Sequence, residues 1–178
     1  MVKAKNPKTY AFIDASNIIY GTKDSGWKVD SKKLYQYLIE RFSCKKIYYF
    51  AGFDAKNQKQ LSFYRVLNQI GYELILRKVK FYRQEDGYTI RKSNCDVDLT
   101  FYAMREIDNF DRVIFFSGDG DFDLLLKHFV ELKKEVLVFA NSRRTAKEIK
   151  ELKGIKFNNL EVLRPILEKK ERRNKTRR

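Results

Sequence analysis

Arg112-Val113-Ile114-Phe115-Phe116-Ser117-Gly118-Asp119-Gly120-Asp121-Phe122 decides the fold. Five residues that are mostly apolar and β-forming end in a turn where glycines alternate with acids. An amphipathic helical pattern then runs from Phe122 to Leu132. A strand, a tight turn and a helix in that order form one unit of a parallel α/β sheet. Working outward, the same unit recurs. Strands are expected at Tyr10 to Asp14, Lys46 to Ala51, Glu73 to Arg77, Arg112 to Ser117 and Glu135 to Ala140. Helices are expected at Ser31 to Phe42, Asn57 to Ile70, Asp96 to Ile107, Phe122 to Leu132 and Thr145 to Leu152, and Pro165 opens a last helical piece. The pattern predicts a three-layer, Rossmann-like α/β fold around a mainly parallel sheet of about five strands.

Composition sets the frame. A chain of 178 residues, 43% hydrophobic and 15% aromatic, can bury roughly two-thirds of its unfolded surface in one core. No apolar stretch follows Met1 to Lys8, and the longest apolar run, Ile47 to Phe53, is far too short to span a bilayer. A soluble, cytoplasmic protein with no membrane association is therefore expected. Cys44 and Cys95 match no metal-ligand spacing and are expected as buried thiols. The net charge is +15, and Lys169 to Arg178 carries seven Lys or Arg against one Glu. Residues 1–164 are read as one domain and 165–178 as a basic tail, suited either to phosphate backbones or to solubility.

Against that charge, seven of the twelve aspartates lie between Asp96 and Asp123. If strands one to three are laid outward in one direction and the chain then crosses back, strand four sits beside strand one. The crevice between them is the topological switch point where such sheets bind ligands. Asp14 and Asp119 end those two strands and should meet there. At 100° per residue from Asp96, the residues Val97, Leu99, Phe101, Ala103, Met104 and Ile107 form an apolar arc that includes Asp96, while Asp98 points away with Tyr102 and Arg105. A buried carboxylate needs compensation. Asp96 is therefore placed in the site, although a capping box with Ser93 has the same spacing. Asp121 fits either a helix N-cap or a metal ligand, and Asp123 suits the helix dipole.

Competing motifs fit less well. A dinucleotide fingerprint needs glycine where Asp123 stands. A haloacid-dehalogenase-type phosphatase needs a second acid two residues after its nucleophile, and Ser16 holds that position after Asp14. Paired-histidine chemistry is excluded because His128 is the only histidine.

Three blocks together resemble the NYN domain proteins of the LabA-like type, within the PIN-like ribonuclease fold. They are Phe12-Ile13-Asp14-Ala15-Ser16-Asn17, Lys92-Ser93-Asn94-Cys95-Asp96-Val97-Asp98-Leu99 and Ser117-Gly118-Asp119-Gly120-Asp121-Phe122. The similarity spans approximately residues 8 to 164. The resemblance implies Asp14, Asp96 and Asp119 as metal-binding acids, Asp121 as a further candidate, and Asn17 lining the pocket. Many relatives carry an acid six residues after the position of Asp96, where this chain has Tyr102.

Phosphodiester hydrolysis needs an activated water and neutralised phosphate charge, which Mg²⁺ or Mn²⁺ on hard oxygen ligands supplies. Substrate contacts are expected from Lys80, Arg83, Arg91 and Lys92, interleaved with Phe81, Tyr82 and Tyr88 near Gly87, in a pattern suited to single-stranded nucleic acid. An edge extension of the sheet with solvated charges reads almost the same. Ser117, Arg143 and Arg144 join the substrate-binding set. The expected function is a metal-dependent endoribonuclease acting on single-stranded RNA. The alternatives are an RNA-binding or regulatory module with weak or no catalysis, for which Tyr102 is the motivating departure, and a small-molecule phosphatase.

Overall fold

The computed structural model describes residues 6–83, 89–92 and 94–170, with side chains described at all of these except 81–83 and 89–92. In chain order the elements are β1 (Thr9–Asp14), α1 (Ala15–Lys23), α2 (Ser31–Phe42), β2 (Cys44–Phe53), α3 (Gln58–Ile70), β3 (Glu73–Lys78), β4 (Lys80–Arg83), β5 (Thr89–Lys92), α4 (Asp96–Arg105), β6 (Arg112–Phe116), α5 (Asp123–Glu131), β7 (Glu135–Ala140), α6 (Lys147–Lys150), β8 (Ile155–Asn159) and α7 (Arg164–Leu167).

Six strands form one sheet in the order β3-β2-β1-β6-β7-β8, and β4 with β5 forms a separate hairpin. Every neighbour in the large sheet is parallel. The expected crossover is present: β6 lies against β1, with Ile13 opposite Phe116. The chain contributes one strand more to the sheet than expected, β8, which the sequence pattern does not mark. Its sequence, Ile-Lys-Phe-Asn-Asn, has only two apolar residues and ends in two asparagines. It is a sheet edge, where polar residues cost little. Helix α1 was also unexpected. Its adjacent Ile18 and Ile19 and its Gly21 are weak helix formers.

Alternate strand residues face opposite sides of the sheet, which divides the core in two. On one side Ile13, Ile47, Tyr49, Ile114 and Phe116 pack under α1, α2, α3 and α7. On the other Phe12, Tyr48, Phe50, Val113 and Phe115 pack under α4, α5 and α6. The aromatic content is spent here: Phe12 stacks on Tyr48 with centroids 5.3 Å apart, and Phe115 meets Phe122 edge-on at 5.0 Å. Caps define the helices. Asp30 accepts from the Lys32 and Lys33 amides to start α2, and Gly71, with φ of 117°, ends α3 in a left-handed turn that favours glycine.

Helix α4 departs from its expected orientation. Leu99 and Ala103 are buried, but Val97, Phe101 and Met104 are exposed. Tyr102, expected to point outward, packs against Tyr48 and Phe50 instead. The helix has turned so that its i, i+4 row rather than the wider apolar arc meets the sheet. At the end of α7, Leu167 is fully buried. The Asp30 amide donates to the Leu167 carbonyl (2.7 Å) and the Lys169 amide to the Lys28 carbonyl (2.8 Å). Residues 171–178 lie outside the described residues.

Candidate active site

Asp14 closes β1 and caps α1, at the point where the strand order turns back. Its Oδ1 accepts from the Ser16 amide (2.9 Å), the Ser16 hydroxyl (2.7 Å) and, more weakly, the Asn17 amide (3.4 Å). Its Oδ2 accepts from the Ser117 hydroxyl (3.3 Å), at the end of β6. The side chain is buried. Burial pushes its pKa above the usual carboxylate range, against the opposing pull of the Ser16, Asn17 and Ser117 bonds.

Asp119 lies across from it in the turn after β6. The Asp119 amide donates to the Ser117 hydroxyl (3.3 Å), and the Asp119 carboxylate accepts from the Asp121 amide (3.1 Å). Ser117 thus links the Asp14 carboxylate to the Asp119 backbone. Gly118 permits this turn through close packing: a Cβ there would stand 2.6 Å from Thr145 Oγ1 and 3.0 Å from Thr145 Cα. The Gly118 carbonyl also accepts from the Ala146 amide at 2.9 Å.

Asp96 opens α4. Its amide donates to Asn94 Oδ1 at 3.1 Å, and Ser93 lies outside the described residues. The Asp96 carboxyl is pushed up to about 6, first by burial and then by repulsion from Asp14, Asp119 and Asp121. Asp14 and the Asp119–Asp121 turn, each far from Asp96 in sequence, thus lie close enough to oppose its ionisation. Asp98 points away and is held by Arg77, Nε to Oδ2 at 2.6 Å.

Asp121 lines a separate pocket with Thr100, Met104 and Leu124, and the other three acids are distributed over two adjoining clefts. One, of about 280 Å³, holds Asp14, Cys95 and Asp96 with Ile19, Tyr20, Gln60, Tyr64 and Val79. The other, of about 410 Å³, holds Asp14, Asn17, Tyr20, Asp119, Arg143 and Arg144. Asp14, Ser16 and Tyr20 line both. Among the described residues, no three His, Cys, Asp or Glu side chains stand close enough to form a ready-made ion cluster.

Of the expected phosphate contacts, Arg143 is exposed beside Asp119. Arg144 is engaged by Asp24 at 2.6 Å and by the Tyr20 carbonyl at 3.2 Å. Lys80 is exposed at the start of the hairpin, and its Cα register partner is Lys92. The side chains of Arg83, Arg91 and Lys92, with those of Phe81 and Tyr82, lie outside the described residues, as do Gly87 and Tyr88 altogether. Sequence reasoning missed Ser16, Tyr20, Gln60 and Tyr64. Of these Ser16 was the most accessible, because a serine two residues after a strand-ending aspartate is placed to bond it.

Comparison with known proteins agrees with this architecture. A crystal structure of a protein of unknown function from Vibrio parahaemolyticus superposes with a TM-score of 0.69, at 23% identity over 89% of this chain and 97% of that one. The low amplitude and bright protein LabA of Synechococcus elongatus is 24% identical over 165 residues, 90% of this chain and 88% of LabA. Residues 8–158 match the NYN domain, a family of generally nuclease-like hydrolases with RNA-related functions. With so much of its length matched, the chain belongs to the NYN domain family.

Proposed function

We propose that the chain is a divalent-metal-dependent endoribonuclease acting on single-stranded RNA. The observation that carries the reading is Asp96, held near 6 by burial and by Asp14, Asp119 and Asp121 inside a chain of net charge +15. Acids that repel one another at a switch point are a destabilising arrangement unless a cation is expected there. Among the described residues, Asp14, Asp96, Asp119 and Asp121 make no ion pair with Lys or Arg.

Mg²⁺ or Mn²⁺ fits this donor set by chemistry, since the donors are hard carboxylate oxygens. Asp14, Asp96 and Asp119 would hold it, with Asp121 adjoining. A bound ion supplies a more acidic water and neutralises charge on the phosphate. The chain's own residues do the rest. Ser16, Asn17 and Ser117 fix the orientation of Asp14, the exposed Arg143 meets a phosphate beside Asp119, and the Tyr20 ring offers a face to an unpaired base. Lys80, Arg83, Arg91 and Lys92 of the hairpin hold the strand on the Asp96 side.

Purified protein should cut single-stranded RNA with Mg²⁺ or Mn²⁺ and stop in chelator. Asp14→Asn and Asp119→Asn should each slow cleavage by roughly 100-fold or more, the scale of several kcal/mol of lost transition-state stabilisation. Undiminished cleavage by both variants would refute the assignment.

The second reading, an RNA-binding module with weak or no catalysis, is favoured by one observation: Asp96 and Asp119 lie in separate clefts that share only Asp14, Ser16 and Tyr20. Tight, salt-sensitive RNA binding without turnover across several divalent metals would select it.

A further inference from the structure

Beside the Asp96 cleft lies a pocket of about 260 Å³ lined by Lys23, Lys28, Lys169 and Phe63, with Ile19 forming part of both walls. The same three lysines line an adjoining trough of about 700 Å³. Backbone pairing builds this cluster. The Lys169 amide donates to the Lys28 carbonyl at 2.8 Å, and Val29 bridges Glu168 in antiparallel fashion. Like charges from nearly opposite ends of the chain are thus held side by side. The neighbouring acids do not neutralise them: Asp24 pairs with Arg144 and Glu168 with Arg164. Among the described residues, Lys23, Lys28 and Lys169 form no ion pair. Apolar faces lead from the acids to the lysines, with Tyr20 55%, Ile19 52% and Phe63 40% exposed.

We propose that single-stranded RNA leaving the acidic cleft passes over Ile19 and Tyr20 of α1 and is gripped at its phosphates by Lys23, Lys28 and Lys169. This subsite is separate from the β4–β5 hairpin, and its purpose rests on the nuclease reading above. Rings beside ammonium groups match a strand with unpaired bases, which stack while the backbone is held without sequence preference. Lys23 ends α1, nine residues long, so it stands about 14 Å along the helix from its Asp14 cap. The subsite therefore favours length.

Binding is measured in chelator, so that no cleavage intervenes, with labelled oligouridylates of about twelve and about four nucleotides, near the limits of single-strand grooves. The parent should prefer the longer probe. Lys23→Gln/Lys28→Gln/Lys169→Gln should lose about tenfold on the longer probe and little on the shorter, with a salt slope shallower by about 2 for three lost single-strand phosphate contacts. Lys133→Gln/Lys150→Gln/Lys153→Gln removes equal charge from exposed lysines in the segments that precede β7 and β8 and should bind as the parent does. Unchanged binding by the first triple variant, or equal loss in the second, overturns the subsite. If the parent never cleaves RNA but the first variant alone loses binding, the nuclease reading fails and the subsite stands. If the parent cleaves and the first variant binds normally, the reverse holds.

Discussion

At the residue scale, Asp96 makes the cost of the site measurable. Its folded-state pKa of about 6 lies above the ordinary aspartate value, so between roughly pH 4 and 6 the folded chain binds the proton that the unfolded chain has lost. Stability of the metal-free protein must therefore fall as pH rises through that window. Asp96→Asn removes the charge and should raise metal-free stability at pH 7 by about 1 kcal/mol, after allowance for solvent screening. Thermal melts in chelator at pH 4.5 and 7 check this: the variant's advantage should be present at the higher pH and absent at the lower. Asp14 and Asp119 were legible in the sequence because they end predicted strands. The contribution of Ser117 was only half legible, since its hydroxyl joins the Asp14 carboxylate to the Asp119 amide and a one-dimensional pattern does not show a bridge.

At the scale of elements, α1 carries one wall of both clefts and was the helix the sequence concealed. Its position is fixed from outside. Asn141, buried just after β7, donates through Nδ2 to the Gly21 carbonyl (2.7 Å), Ser25 Oγ (3.3 Å) and Glu161 Oε1 (3.2 Å). Asn141→Ala removes the donor to the Gly21 carbonyl, while Glu161 keeps its bond from Trp27 Nε1 (2.9 Å), and should cost about 1–3 kcal/mol. It should also reduce cleavage by loosening Tyr20 and the Asp14 cap. Urea unfolding measures the first effect, and an unchanged midpoint would remove Asn141 from this role. Such a long-range side-chain bond leaves no periodic trace, so nothing in the sequence offset the weak helix formers Ile18, Ile19 and Gly21 of α1. Helix α4 was located but its rotation was misjudged. The six apolar residues outnumber what the sheet covers, so Val97, Phe101 and Met104 remain exposed, and hydrophobicity alone chose the wrong row.

For the whole molecule, strand order followed from the alternation of strands and helices, whereas the edge strand β8 did not. Residues 165–170 pack onto the fold: Leu167 is buried and the Lys169 amide bonds the Lys28 carbonyl. Truncation after Lys170 removes five basic residues and one acidic. It should leave the melting temperature unchanged while weakening RNA binding and flattening its salt dependence. Truncation after Arg164 should instead destabilise the protein by about 1.5–3 kcal/mol, the scale of one lost buried leucine. Equal melting temperatures for the two truncations would contradict this. The central position of β1 has a consequence for biosynthesis. One flank of this strand, from Thr9 to Ile13, is completed only by residues 112–116. On the ribosome the nascent chain must therefore keep an aromatic-rich half-sheet unfinished until most of the polypeptide has emerged, a period when it is exposed to self-association. Asp14 and the turn that carries Asp119 first meet across Ser117 when that wait ends.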